Sequence, residues 1–311
     1  MSLDRRSFLT ASAAVAGGAL AACAAEDKPA TTADSADADS ADAERRIDPK
    51  QPGKSCKTKF AVNVEMWFRK LPFLDRVRAA AALGFPAVEM WPYQGKDIDA
   101  LAALTKELGI SISQFTAWGF TPGMNEPKNH DLVEKTIREA CGVAKKLGVK
   151  KMCVVGGNDV RGMTQDEMHE QIIVALKRVK PIAEDAQVML ILEPMNIRVD
   201  HKGHCLYGSP KAVKICREVD SPMVKINWDL YHMHISEGDL CGHLREGWDQ
   251  VGYLQMADHP GRNEPGTGEI HYNRVLKEIW ALGYRDYVGL ECSPKDGERK
   301  AAMGVALADV W

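Results

Sequence analysis

Short apolar runs recur along this chain at the interval of one strand plus one helix, and four of them end on an oxygen-donor side chain. Val188–Leu192, Val224–Trp228, Val251–Leu254 and Tyr287–Leu290 lead into Glu193, Asp229, Gln255 and Glu291. The steps between these donors are 36, 26 and 36 residues. Strand–helix units of about that length, repeated, close a parallel barrel whose strand ends converge on one face. Three carboxylates and an amide gathered there repel and desolvate one another unless a divalent cation holds them. An all-oxygen donor set suits Mn²⁺ or Mg²⁺, with Zn²⁺ or Co²⁺ as alternatives.

The same alternation fills the rest of the domain. Strand-like runs begin near Phe60, Ala87, Ile110, Lys151, Val188, Val224, Val251 and Tyr287, with helical periodicity between them. Leu74–Leu83, Ile98–Leu108, Leu132–Leu147 and Val275–Leu282 each stop at a glycine, the residue that most readily takes a left-handed C-terminal turn. Thr164 with Glu167 has the pattern of a capping box for a helix running to Asp185, and Ser209-Pro210 opens the next helix. After Lys295 the helical signal is weak. Eight such pairs, with no dinucleotide-binding glycine fingerprint after the first strand, predict an α/β fold, a single (β/α)8 barrel over residues 57–311. Gly156-Gly157, after the fourth strand, is a lone pair that lets the backbone turn tightly near the site.

Ahead of that domain the sequence changes character. Asp4-Arg5-Arg6-Ser7-Phe8-Leu9-Thr10 precedes a small apolar run from Ala11 to Ala22, the pattern of a twin-arginine export signal. Leu20-Ala21-Ala22-Cys23 reads as a lipoprotein cleavage box with Cys23 bearing the lipid. Residues 1–23 are therefore expected to direct export, leaving a periplasmic or cell-surface protein held to a membrane only through that lipid. Residues 24–56 are mostly Ala, Asp, Ser and Thr early on, with few large apolar side chains, and are expected to form a flexible tether. The net charge is −3 with both signs interspersed, which argues against nucleic acid as a partner. Setting Cys23 aside leaves seven of the 8 cysteines, with no Cys-x-x-Cys pair. Cys141, Cys153 and Cys216 lie in apolar patterns as core thiols. Because twin-arginine export moves folded proteins, the domain is expected to fold with its thiols reduced, while pairing of Cys205, Cys241 or Cys292 stays open.

Around the four donors the sequence supplies further candidates. Glu193 runs directly into Pro194, which resists helix and holds the carboxylate at the barrel rim. His232 lies three residues beyond Asp229, where the chain has left the strand and can turn back over a substrate. Substrate contact is favoured for it over a surface role or a metal-ligand role, since four ligands are already supplied; His234 points elsewhere and reads as structural. The stretch from Gln255 to Ile270 is dense in Pro and Gly, the pattern of a shaped loop. Within it Arg262 can clamp a substrate carboxylate or hydroxyls, or pair with Asp258 or Glu264. Trp67, Trp91, Tyr93, Trp118 and Phe120 follow the first three strands and together suggest a pocket wall, with Trp118 as a substrate contact.

From about Phe60 to Glu291 these residues resemble the hydroxypyruvate isomerase group of the xylose isomerase-like TIM-barrel superfamily. The resemblance rests on Glu193-Pro194 with Asn196, Asp229-x-Tyr231-His232, Asp258, Pro260-Gly261-Arg262, Glu264 through Ile270, and Gly289-Leu290-Glu291. It implies metal ligation by Glu193, Asp229, Gln255 and Glu291, proton transfer by Glu193 and Glu291, and a small hydroxy-keto acid or sugar as substrate. The stretch Ile197 to Cys205 departs from the group's Pro-Gly-aromatic turn, and an export signal departs from its mostly cytoplasmic members. Ketose 3-epimerases share the acids but usually place a His at the position of Gln255, so that residue favours the isomerase. A lyase or dehydratase of oxidised sugars draws on the same enolate chemistry. Apurinic-site endonucleases need further His ligands, where here Gln114 is expected to end the third strand, and a non-catalytic sugar-binding lipoprotein is disfavoured by the presence of both glutamates. The oligomeric state stays open.

Overall fold

In the computed structural model, which describes residues 46–311, eight parallel strands close on themselves in sequence order. They are β1 (Lys59–Asn63), β2 (Ala87–Pro92), β3 (Ser111–Trp118), β4 (Lys151–Val155), β5 (Met189–Glu193), β6 (Val224–Asp229), β7 (Val251–Met256) and β8 (Tyr287–Leu290). β8 returns to β1, with Val288 opposite Phe60 and Leu290 opposite Val62. The predicted (β/α)8 barrel is thus the fold, and each strand starts within one residue of its expected position. The helices are α1 (Phe73–Ala82), α2 (Ile98–Leu108), α3 (His130–Leu147), α4 (Gln165–Ala186), α5 (Ser209–Val219), α6 (Leu230–Ser236), α7 (Leu240–Glu246), α8 (Tyr272–Ala281) and α9 (Glu298–Ala308).

Alternation along each strand sorts side chains between two apolar layers. Leu190 and Leu192 of β5 face outward into the large layer beneath the helices. Ile191 turns inward to a small cluster with Cys153, Val155, Met195 and Tyr253, inside the barrel. Because Ile191 and Glu193 share a face, the alternation that packs the lumen also aims the terminal carboxylate into it.

Several local signals are realised as expected. Gly109 and Gly148 stop α2 and α3 at φ 66° and 68°. The Thr164–Glu167 capping box forms, with the Glu167 N–H donating to Thr164 Oγ1 at 3.2 Å and the Thr164 N–H to Glu167 Oε2 at 2.7 Å. β3 and the segment after β6 differ from expectation, and the weakly signalled last helix forms. β3 runs on to Trp118, so Gln114 lies buried in mid-strand rather than at its end. The weakly signalled last helix forms as α9, because Ala301, Ala302 and Val305 bury against the barrel and packing supplies what amphipathic contrast does not. After β6 two short helices stand where a loop was expected, their first turns capped by the Asp229 and Asp239 side chains.

The packed chain also begins before residue 57. Ile47 and Pro52 are buried, and the Gly53 N–H donates to the Leu83 carbonyl at 3.0 Å. Gly53 is required by this close approach, since a Cβ there would meet the Phe85 nitrogen at 2.7 Å. The rest of the expected tether, the export signal and Cys23 lie outside the described residues. All seven described cysteines are unpaired, with Cys141, Cys153, Cys205, Cys216 and Cys292 buried. Among the described residues no helix is long and apolar enough to cross a membrane.

Candidate active site

The ends of β5, β6 and β8 bring three acids together. Glu193, Asp229 and Glu291, with His232, each offer a ligand atom, and these atoms lie within 4.8 Å of one another. All four residues are buried. Their hydrogen bonds are unequal. Glu291 accepts from Trp91 Nε1 on Oε1 and from Arg262 Nη2 on Oε2, both at 2.6 Å. Glu193 receives only the Cys153 thiol on Oε2 at 3.2 Å, and its Oε1 has no partner. Asp229 uses Oδ1 to accept the Tyr231 N–H at 2.8 Å, whereas Oδ2 has no hydrogen-bond partner. Burial, then the charges of Glu291 and Asp229, push the Glu193 carboxyl well above the usual carboxylate range. Burial, then Glu291, raises Asp229 as well. Two orphaned carboxylate oxygens in a buried acid cluster form a donor set that a divalent cation fits, since it would satisfy both and relieve their repulsion.

Gln255 sits beside this cluster on β7, and its amide is oriented from below. Its Nε2 donates to Glu89 Oε1 at 2.8 Å, and its Oε1 accepts from Asn227 Nδ2 at 2.6 Å. An amide oxygen has two lone pairs, so one stays available to a cation. Glu89 is itself fully buried and also accepts from Asn63 Nδ2 at 3.0 Å and Tyr253 Oη at 2.9 Å. The sequence reading passes over Glu89, although a carboxylate inside the apolar run Ala87–Trp91 is a signal that something must receive it. Gly289 makes its room, since a Cβ there would meet Glu89 Cδ at 2.7 Å. Cys153 is buried as the core thiol expected, within the apolar lumen cluster, and its Sγ also donates to Glu193.

His232 emerges from the first turn of α6 rather than from a loop. Asn196 fixes its tautomer. The Asn196 Oδ1 accepts the N–H groups of Val199 and Asp200 at 3.0 and 3.1 Å, so its Nδ2 is the atom facing His232 Nδ1 at 2.7 Å. Nδ1 is therefore the acceptor and Nε2 carries the proton. Burial and the Arg262 charge hold the pKa of this ring well below the usual histidine value, so it is neutral. Nε2 faces the acid cluster, 3.6 Å from Asp229 Oδ2 and 3.4 Å from Arg262 Nη2. His234 instead bonds Glu269 at 2.8 Å, away from the acids.

The Pro- and Gly-rich loop after β7 is organised by Asp258, whose two oxygens accept the N–H groups of His259, Gly266, Gly268 and Ile270 at 2.9–3.0 Å. Arg262 stands in that loop at φ 54° and reaches Glu291; neither Asp258 nor Glu264, the ion-pair partners weighed for it, is its partner. A cavity of about 680 Å³ opens above the acids. Trp91, Trp118 and Phe120 line it, together with His201, His232 and Arg262. Trp67 and Tyr93 do not: Trp67 is wholly buried edge-on to Phe85, and Tyr93 packs edge-on to Phe115 at 5.4 Å.

A barrel of this kind, with acids from β5, β6 and β8 at the mouth, belongs to a recognisable class, and the xylose isomerase-like TIM-barrel profile matches residues 77–308. The chain belongs to that family. It is 31% identical to hydroxypyruvate isomerase of Escherichia coli over 244 residues, covering 76% of this chain and 94% of that one. It is 28% identical to 2-oxo-tetronate isomerase of Pectobacterium atrosepticum over 264 residues, covering 81% and 97%. Among solved structures it is similar to a family 2 AP endonuclease from Brucella melitensis, with a TM-score of 0.74, 25% identity, and coverage of 78% and 96%. The protein is accordingly an isomerase.

Proposed function

We propose that this isomerase interconverts a hydroxy-ketone and the neighbouring hydroxy-aldehyde through an enediolate, with Glu193 and Glu291 moving the proton and Glu193, Asp229, Gln255 and Glu291 holding Mn²⁺ or Mg²⁺. The observation that carries the reading is the unpartnered, buried Glu193 Oε1 beside Glu291 and Asp229. A divalent cation held there would polarise the substrate carbonyl and stabilise the enediolate. Glu193 is the better proton acceptor of the pair, because its carboxylate receives a single hydrogen bond, from the Cys153 thiol, while both oxygens of Glu291 are engaged by Trp91 and Arg262. The proton leaves the hydroxyl-bearing carbon for the Glu193 carboxylate, a carboxyl of the pair returns it to the former carbonyl carbon, and the proton of the hydroxyl that becomes the new carbonyl passes to the former carbonyl oxygen. His232 Nε2–H donates to a substrate oxygen, and Arg262 and Trp118 border the space that the substrate fills.

The test is isotopic. Purified Mn²⁺-loaded protein incubated in deuterated water should incorporate deuterium at a substrate carbon, and NMR of the product should show the carbonyl moved to the neighbouring carbon. Inversion of a carbinol with the carbonyl unmoved identifies a ketose 3-epimerase instead. Absence of exchange across hydroxy-keto acids and ketoses sinks the reading. In Glu291→Gln turnover should vanish and bound metal should fall, while the circular dichroism spectrum is retained.

A further inference from the structure

The cavity is far larger than the acids at its floor require. We infer that its outer half is a subsite for a second ring, and that the substrate is a neutral ketose carrying another sugar rather than a three- or four-carbon keto acid. This inference rests on the isomerase reading above.

Size is the first argument. The cavity measures about 680 Å³. Even at a liquid water's share of about 30 Å³ per non-hydrogen atom, a three-carbon keto acid with roughly seven such atoms takes up only about a third of it. On the same generous scale two linked sugar rings, with roughly twenty-three such atoms, come to about the whole, so the cavity has room for both.

Charge is the second. Among the described residues lining the cavity, Arg262 is the only guanidinium or ammonium, and it is committed to Glu291 at 2.6 Å, with Asp229 at 4.0 Å. A substrate carboxylate entering this cavity would find no guanidinium or ammonium free of the acids, and would have to compete for the cation with the carbonyl and hydroxyl that react there. With a divalent cation in place the three acids and Arg262 come to formal neutrality, which suits an uncharged substrate.

The walls are the third. Trp91 and Leu132, 37% and 46% exposed, stand at the mouth with Phe120 and Pro122. Exposed apolar surface continuous with a reactive site matches the C–H faces of sugar rings. His201 lies in the same wall, stacked on Phe120 with centroids 5.0 Å apart and edge-on to His232 at 5.2 Å. No side-chain hydrogen bond ties its nitrogens to a described residue, so a neutral ring there offers a sugar hydroxyl one donor and one acceptor. His201 comes from the Ile197–Cys205 stretch, the part of the sequence that departs from the hydroxypyruvate isomerase pattern.

The experiment compares maltulose, D-fructose and hydroxypyruvate as substrates for the Mn²⁺-loaded protein, using deuterium exchange, and their non-reacting counterparts maltitol, sorbitol and tartronate by calorimetry. Maltulose should exceed fructose in kcat/KM at least tenfold, about 1.4 kcal/mol. In Leu132→Asp, and separately in Phe120→Ala, that ratio should collapse towards one. Turnover of hydroxypyruvate at or above the kcat/KM of the sugars overturns the inference while upholding the isomerase, and so does a maltulose preference that survives both substitutions. If none of the three exchanges, the isomerase reading falls and binding decides the subsite. Maltitol held tenfold more tightly than sorbitol, and released by Leu132→Asp, upholds the second-ring site; equal affinities overturn it.

Discussion

Glu89 receives three hydrogen bonds at full burial, from Asn63, Tyr253 and Gln255, and has no cation of its own. Burial and then Glu291 raise its pKa, so its donors are what keep it in place. Removing it strands the buried Asn63 and Gln255 amide donors, each costing about 1–3 kcal/mol, while the Tyr253 hydroxyl keeps Ser113 as a partner at 2.7 Å. Glu89→Ala should therefore lower the melting temperature and, by freeing the Gln255 amide, weaken Mn²⁺ binding about 10- to 100-fold, as removal of a ligand's supporting partner does. Manganese titration followed by electron paramagnetic resonance checks this, and unaltered affinity would count against Gln255 as an oriented ligand. The three acids were legible in the sequence because each follows an apolar strand run. Glu89, the Cys153 bond to Glu193 and the Trp91 bond to Glu291 were not. Their meaning comes from partners across the barrel, as far as 200 residues away along the chain for Trp91.

Among the elements, the loop after β7 carries the most local information. Its Pro and Gly residues predicted a shaped loop, and Asp258 shows how the shape is kept, by four backbone N–H groups converging on one carboxylate. Asp258→Ala should cost about 1–3 kcal/mol of stability and open the loop to proteolysis. Because Arg262 is mounted there, kcat/KM should fall with it; a loop as protease-resistant as before would show that the backbone holds its form without the carboxylate. Strands were legible because most of their residues are buried and several appear as short, largely apolar runs, as in Met189–Leu192 and Tyr287–Leu290. α6 was not, since a seven-residue helix is too short for a periodic pattern to emerge, and its first turn is set by Asp229 accepting from Tyr231.

At the scale of the whole molecule, composition places the domain boundary at residue 57, but Ile47 and Pro52 are already buried. Single apolar residues inside a polar stretch do not alter its average, which is why composition passed over them. A chain beginning at residue 57 should melt roughly 5 °C lower than one beginning at residue 46, from the burial of Ile47 alone at about 1.5–3 kcal/mol. Equal melting points would return the boundary to residue 57. The proposed export is tested independently: with Arg5 and Arg6 both replaced by Lys, the protein should stay in the cytoplasmic fraction, and undiminished export would remove the twin-arginine reading. The barrel closure also constrains substitution. Gln255 answers to Glu89 on one side and Asn227 on the other. A His in its place, with one ring nitrogen given to a cation, would leave at least one of those partners unanswered, so such an exchange should cost stability unless Glu89 or Asn227 changes with it.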